Sequence, residues 1–197
     1  MPLALSFQHN NPLRSTILDH SGSNKPNPVY EVATAHAGHK SKTTITSIFP
    51  PHVIGEIEWN KSLDSGTIAV GGRQMSIHEL LVHGGLLSPT VRKFQLPEGT
   101  WYKWQRAGAD GLVLVDGDNN IVGRSLHTRD ARPAGMTLEI QDSNTRDFVE
   151  WVLLTFVIVE HLRRKTLSYK FKPNLGETSW EGAINFFVID SYTRVFQ

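Results

Sequence analysis

The chain has 197 residues, about one domain's length, with 39% hydrophobic and 20% charged residues and no cysteine. That mixture suits a globular protein and argues against collagen, a coiled coil or a disordered tail, and it leaves no disulfide framework, thiolate nucleophile or cysteine-based zinc site. Twenty basic against 19 acidic residues give a net charge of +1, which makes no case for nucleic acid.

The first residues, from Met1 through Phe7, form a short apolar run with no basic residue ahead of it. No secretory signal is expected, and the chain reads as cytoplasmic. From there to about residue 141 the hydrophobic period is two. Strands are expected at 3–7, 13–18, 29–34, 43–48, 53–59, 67–70, 73–77, 91–96, 101–106, 112–116, 121–127 and 136–140, about twelve in all. In the fifth, alternation sets Val53, Ile57 and Trp59 on one side and Glu56 and Glu58 on the other. Turn chemistry separates the strands. Residues 21–28 read as a flexible loop, Pro97-Glu98-Gly99-Thr100 as a tight turn, and 116–120 as a hairpin whose Asp, Gly and Asn tolerate positive φ.

The period then changes. Asp142, Ser143 and Asn144 offer N-caps, Asp147 and Glu150 sit at the positive end, and Arg163, Arg164 and Lys165 sit at the negative end. Between them runs an apolar stretch from Trp151 to Val159. A helix over about 145–165 would be about 31 Å long at ~1.5 Å per residue. A continuous buried strand competes, because the stretch is rich in β-branched residues; capping, charge polarity and length favour the helix. The stretch is far short of the ~20 apolar residues of a membrane span.

An all-apolar helix must be enclosed on every side. About twelve antiparallel strands can close into a barrel too wide for side chains alone to fill. The fold class expected is therefore mainly β, an antiparallel barrel of roughly twelve strands around a central hydrophobic helix. Residues 1–165 form this domain. Residues 166–197 form a C-terminal extension that packs on the barrel or on a partner, with a strand-like or docking segment at 184–189.

Several runs carry the pattern of a known family. These are Asn11-Pro12-Leu13-Arg14-Ser15-Thr16-Ile17-Leu18, Val29 to Thr34, Thr43-Thr44-Ile45, Ile57-Glu58-Trp59, Arg92-Lys93-Phe94, Gly99 to Trp104, and the closing apolar helix. Together, over roughly residues 3–165, they resemble a family of unknown function common in mushroom-forming basidiomycete fungi. That family looks like a member of the tubby C-terminal-like superfamily, alongside the plant LURP-one-related proteins and the phospholipid scramblases. The resemblance implies a twelve-stranded barrel threaded by a hydrophobic helix, and, by the example of tubby itself, a basic surface that holds phosphoinositides. The chain departs from the superfamily pattern in the thirty or so residues after the helix.

The chemical motifs are few. His78 and His83 are five apart, about 140° round a helix, and do not make the zinc motif that needs a spacing of four; a short polar turn is expected. His36 and His39, with His20 and His52, read as solvated loop histidines. Asp116, Asp118 and Asn120 imitate a calcium loop, but Ile121 and His127 stand where Gly and Glu are required. Gly71-Gly72 and Gly84-Gly85 match no phosphate loop, and there is no nucleophile elbow. No cofactor or metal is expected.

Arg92, Lys93, Lys103 and Arg106 fall on one predicted hairpin with Trp101, Tyr102 and Trp104. Cations beside aromatics can hold a phosphorylated head group or another anion, or their stems can simply cover the aromatics. The function expected is a non-enzymatic binding protein, taking an anionic lipid head group, a hydrophobic ligand or a protein, peripheral to a membrane in the lipid case. A second reading is a self-association module, a homodimer joined through Phe186-Phe187-Val188-Ile189. A third, an enzyme, needs two or more of His36, His39, His52 and His83 in one cleft.

Overall fold

The computed structural model describes residues 2–22, 25–63, 65–84, 91–108, 111–128, 135–141 and 145–170. The chain divides into two compact units, Met1–Lys165 and Thr166–Gln197; of the second, 166–170 are described. The expected segment at 184–189 and the caps at 142–144 lie outside the described residues.

Thirteen strands form. The first seven are β1 (Leu3–Phe7), β2 (Ser15–Asp19), β3 (Asn27–Ala37), β4 (Lys40–Ser47), β5 (His52–Trp59), β6 (Gly66–Val70) and β7 (Arg73–Ser76). One helical turn, α1 (Ile77–Leu80), follows. Then come β8 (Val82–His83), β9 (Arg92–Gln95), β10 (Trp101–Ala107), β11 (Gly111–Val115), β12 (Ile121–Thr128), β13 (Gly135–Ile140) and the helix α2 (Arg146–Lys170).

All thirteen strands pair antiparallel in one sheet, ordered β7-β6-β5-β4-β3-β2-β1-β13-β12-β11-β10-β9-β8. Strands adjacent in the chain are adjacent in the sheet, and the first pairs with the last, Leu3 opposite Ile140. The exception is β7 and β8, which are the two free ends. The sheet is therefore open where a closed barrel was expected. The segment between its ends explains why. The Ser76 hydroxyl accepts from the Glu79 N–H, and the Glu79 carboxylate accepts from the Ser76 N–H, a complete capping box. That box starts a helical turn and occupies a donor that a strand would offer to its neighbour. Here α1 contacts both β7 and β8. The expected polar turn at 78–83 is thus a helical turn with Ile77, Leu80 and Leu81 buried, followed by the short thirteenth strand missing from the sequence reading.

A bulge corrects β5. Thr46 lies opposite Val53 and Ile45 opposite Gly55, so Ile54 is the extra residue. The face switches there: Ile54, Ile57 and Trp59 are buried, while Val53 is more than half exposed.

The Thr145 hydroxyl accepts from the Phe148 N–H and starts α2. Every residue from Val152 to Glu160 is buried. Phe156 meets Phe7 of β1 and Trp104 of β10, with ring centroids 5.6 and 5.5 Å apart. The Trp104 indole N–H donates to Thr155 Oγ1 at 3.0 Å, and that hydroxyl donates to the Trp151 carbonyl. On β5, Gly55 has no side chain to hold Leu154 away; a Cβ there would lie 3.0 Å from Leu154 Cδ1. Strands from both halves of the sheet therefore touch the helix.

α2 runs to Lys170, past its expected end at 165. Arg163 and Arg164 do not terminate it. They fold back onto Glu160, whose side chain is fully buried: Arg163 donates to both carboxylate oxygens at 2.7 and 2.9 Å, and Arg164 donates to Oε1. Arg164 also donates to the Asn10 carbonyl at 2.7 Å. On the same side of the unit, the Trp59 ring meets His161 and its N–H donates to Thr43. The end of the sheet near Glu160 is thus tied up by polar contacts.

Candidate functional site

The other end of the sheet, where α2 begins, is built differently. Six turns or strand starts gather there: the β4–β5 turn, the β6–β7 turn at Gly71-Gly72, the β9–β10 turn, the β11–β12 turn, the first residues of β1 and the start of the helix. Gly71 and Gly72 have φ of 56° and 74°, a two-residue hairpin turn open to few other residues. Asp116 accepts from the Asp118 and Asn120 N–H groups, which fixes the expected hairpin at 116–120.

Seven large apolar side chains are exposed among the described residues, and five of them stand at this end: Ile48, Phe49, Val53, Trp101 and Ile121. Phe49 is 86% exposed. Single exposed apolar residues are ordinary; here five of the seven stand at one end of the sheet.

Two clefts of about 430 and 580 Å³ open at this end, the smaller lined by Trp101 and the larger by Val53, and share Val70, Leu96, Pro97 and Trp151 as walls. Trp151 stands in the first turn and a half of α2. The larger cleft is bounded on one side by a polar clamp. Glu150 receives Arg146 Nε on Oε1 at 2.6 Å and meets His52 Nε2 on Oε2 at 2.9 Å. Arg146 also donates to Ser47 Oγ. His52 Nδ1 faces the Pro50 carbonyl at 3.1 Å. Both ring nitrogens thus face acceptors, and only the imidazolium can donate to both. Its pKa is raised accordingly, first by the Glu150 carboxylate and then by the Pro50 carbonyl. The clamp ties β5 to α2 beside the cleft. Nearby, burial pushes the Tyr30 phenol up to about 12, with the Glu150 charge adding to it.

The four predicted cations do not form one patch. Lys93 and Lys103 are direct cross-strand partners and share a face. They line a third cleft, of about 580 Å³, with Trp101, His83 and Asp116; Lys103 Nζ donates to Asn119. Arg92 lies opposite the fully buried Trp104 and so takes the other face of β9. It is half-buried, and its Nη1 meets His83 Nδ1 at 3.0 Å. Burial, then the charge of Arg92, lowers the His83 pKa. Arg106 lies further along β10, opposite Leu112, and donates to the Gly108 carbonyl.

The histidines are dispersed too. His36 meets Ser41 at 2.8 Å on the exposed β3–β4 hairpin, which also carries His39; His83 stacks on His78 with centroids 6.2 Å apart; His52 belongs to the clamp at the opposite end of β4. None of these three clefts gathers two of the four. No group of three or more His, Asp or Glu among them could hold a metal, and no helix among them is long and apolar enough to cross a membrane.

The sequence reading missed the cleft at Trp151.

Fold and site together define a mainly β protein, one open antiparallel sheet packed on a long buried helix, with apolar clefts at one end. The chain belongs to a family of unknown function, DUF6593, whose model matches residues 10–165. Neither a curated protein nor a solved structure matches it.

Proposed function

We propose that this protein is a non-enzymatic binding module of tubby-like build, its sheet wrapped as a barrel around α2, and that it takes an apolar group of its ligand at the end where α2 begins. The build is supported by the pairing of β1 with β13, by the confinement of the missing pairing to β7 and β8, and by the burial of every residue from Val152 to Glu160. The single observation that carries the binding reading is the pair of clefts that share Trp151 as a wall, with the exposed Trp101 at the smaller and the exposed Val53 at the larger. Packing alone gives no reason to concentrate such side chains on one rim.

The test uses a neutral apolar fluorophore, N-phenyl-1-naphthylamine, with the full chain. Its emission is expected to rise on binding. Val53→Ser and Trp101→Ser, both at exposed positions, are expected to cut that rise severalfold without lowering the melting temperature. A flat titration, or a rise indifferent to both substitutions, overturns the reading.

A second reading rests on the Lys93–Lys103 pair beside Trp101: an anionic lipid head group held at that cleft, making the protein peripheral to a membrane. Co-sedimentation with phosphatidylcholine vesicles carrying a phosphoinositide checks it. Binding is expected to weaken with salt and to be lost in Lys93→Ala/Lys103→Ala, but to survive Arg106→Ala. Equal sedimentation with and without the phosphoinositide counts against it.

A further inference from the structure

The larger cleft at the helix start has an apolar floor and an anionic rim. Phe148, Trp151 and Leu154 of α2 line it together with Ile54 and Val70. Phe148 is braced from behind by Tyr102, with ring centroids 5.3 Å apart. Around this floor stand three carboxylates, Glu98 of the β9–β10 turn and Asp147 and Glu150 of α2, and no lysine or arginine.

The three carboxylates are not equivalent. Glu150 is already committed, to Arg146 on one oxygen and to His52 on the other. The same bond commits His52, the one basic side chain in the lining. Glu98 and Asp147 have neither an ion pair nor a side-chain hydrogen bond among the described residues. Both are exposed. The start of α2 contributes about half a positive charge, which Asp147 in its first turn opposes, while Glu150 is matched by Arg146 and His52. What remains is a negative rim above two aromatic rings.

That combination selects by charge. The face of an aromatic ring attracts a cation, and attracts it more strongly where water is excluded. A carboxylate at the rim adds Coulomb attraction for the same sign. A neutral apolar ligand gains only the floor, and an anion is repelled by the rim. The third cleft, which shares Trp101 with the smaller one, carries Lys93 and Lys103 and has the opposite preference.

We propose that the cleft floored by Phe148 and Trp151 binds an organic cation with an apolar body, an ammonium group borne on an alkyl or aryl chain. The body lies against the two rings, and the charge lies between Glu98 and Asp147. This rests on the reading that the helix-start end is the binding face, and it adds the charge of what binds there.

The test compares three probes of one chain length on the full protein: hexyltrimethylammonium, hexanol and hexanesulfonate. The Trp151 indole resonance reports binding by NMR. The ammonium is expected to bind about tenfold more tightly than hexanol, the joint contribution of the rings and two exposed carboxylates, and the sulfonate more weakly than either. In Glu98→Gln/Asp147→Asn the advantage of the ammonium is expected to disappear while hexanol binds as before. Both positions are exposed, and an unchanged spectrum elsewhere certifies the fold. If ammonium and hexanol bind the unsubstituted protein equally, the charge selection is wrong and the apolar binding face stands. If the advantage survives the double substitution, the two carboxylates are not what holds the cation. If no probe moves Trp151, both readings fall.

Discussion

Glu160 is enclosed by the protein and still charged. Burial alone would raise its pKa, but the hydrogen bonds and charges of Arg163 and Arg164 outweigh that and hold the carboxyl below its ordinary value of 4.5. The side chain of Glu160 is fully buried, while the two arginines keep 13% and 26% of theirs exposed. Removing one member of such a set leaves the others buried and unmatched, which costs about 3 kcal/mol. Glu160→Gln is therefore expected to lower the urea midpoint by the equivalent of about 3 kcal/mol at pH 7. Its pH dependence has a fixed sign. A carboxyl whose folded pKa is depressed contributes stability that is full above the unfolded value and is lost as pH falls through the folded one. Urea unfolding at pH 7 and at about pH 3 is expected to show a smaller acid loss in Glu160→Gln than in the unsubstituted chain. Equal acid losses would mean that Glu160 carries no linked proton.

At the scale of elements, most of the fold could be read from period and punctuation. The apolar stretch after residue 145 had no polar face and charged ends of opposite sign, and in α2 every residue from Val152 to Glu160 is buried, as such a helix requires. The failures have local causes. The alternation through β5 was read straight across Ile54, because a bulge leaves no mark in composition; only the pairing of Thr46 with Val53 reveals it. The adjacent basic residues Arg163 and Arg164 looked like a terminus because charge polarity is the usual stop signal. Their partner is Glu160, three and four residues back, and that spacing was legible but did not announce that the pair would be buried. The four cations of β9 and β10 were grouped by nearness in sequence. Strand alternation already separates Arg92 from Lys93 by face, and the turn at 97–100 sets Lys93 opposite Lys103. The cleft at Trp151 was out of reach for a different reason. Its walls come from β5, β6, the β9–β10 turn and α2, four segments far apart in the chain, and no periodicity within one segment encodes a meeting of four.

At the scale of the whole sheet, the unpaired ends decide where the protein opens. The pairing of β1 with β13 joins residues 3 and 140 and locks the two halves of the sheet together. The free ends β7 and β8 are short, four and two residues, and among the described residues α1 contacts both. The smaller cleft lies in this gap, lined by Arg73 and Met75 of β7, Gln95 of β9 and Trp151. Local opening draws on regions with few buried contacts and exposed backbone hydrogen bonds, and the binding face is placed beside such a region. Amide exchange in the full chain is expected to be fastest, among the strands, in β7 and β8, and slowest in β1, β13 and the Val152–Glu160 stretch of α2. A ligand seated against Trp151 touches the walls of the gap, so its binding is expected to slow exchange in β7 and leave β1 and β13 unchanged. Exchange in β7 as slow as in β1 without ligand would mean that the two ends of the sheet are held shut by something other than α1, and that the cleft between them is not a place where the protein opens.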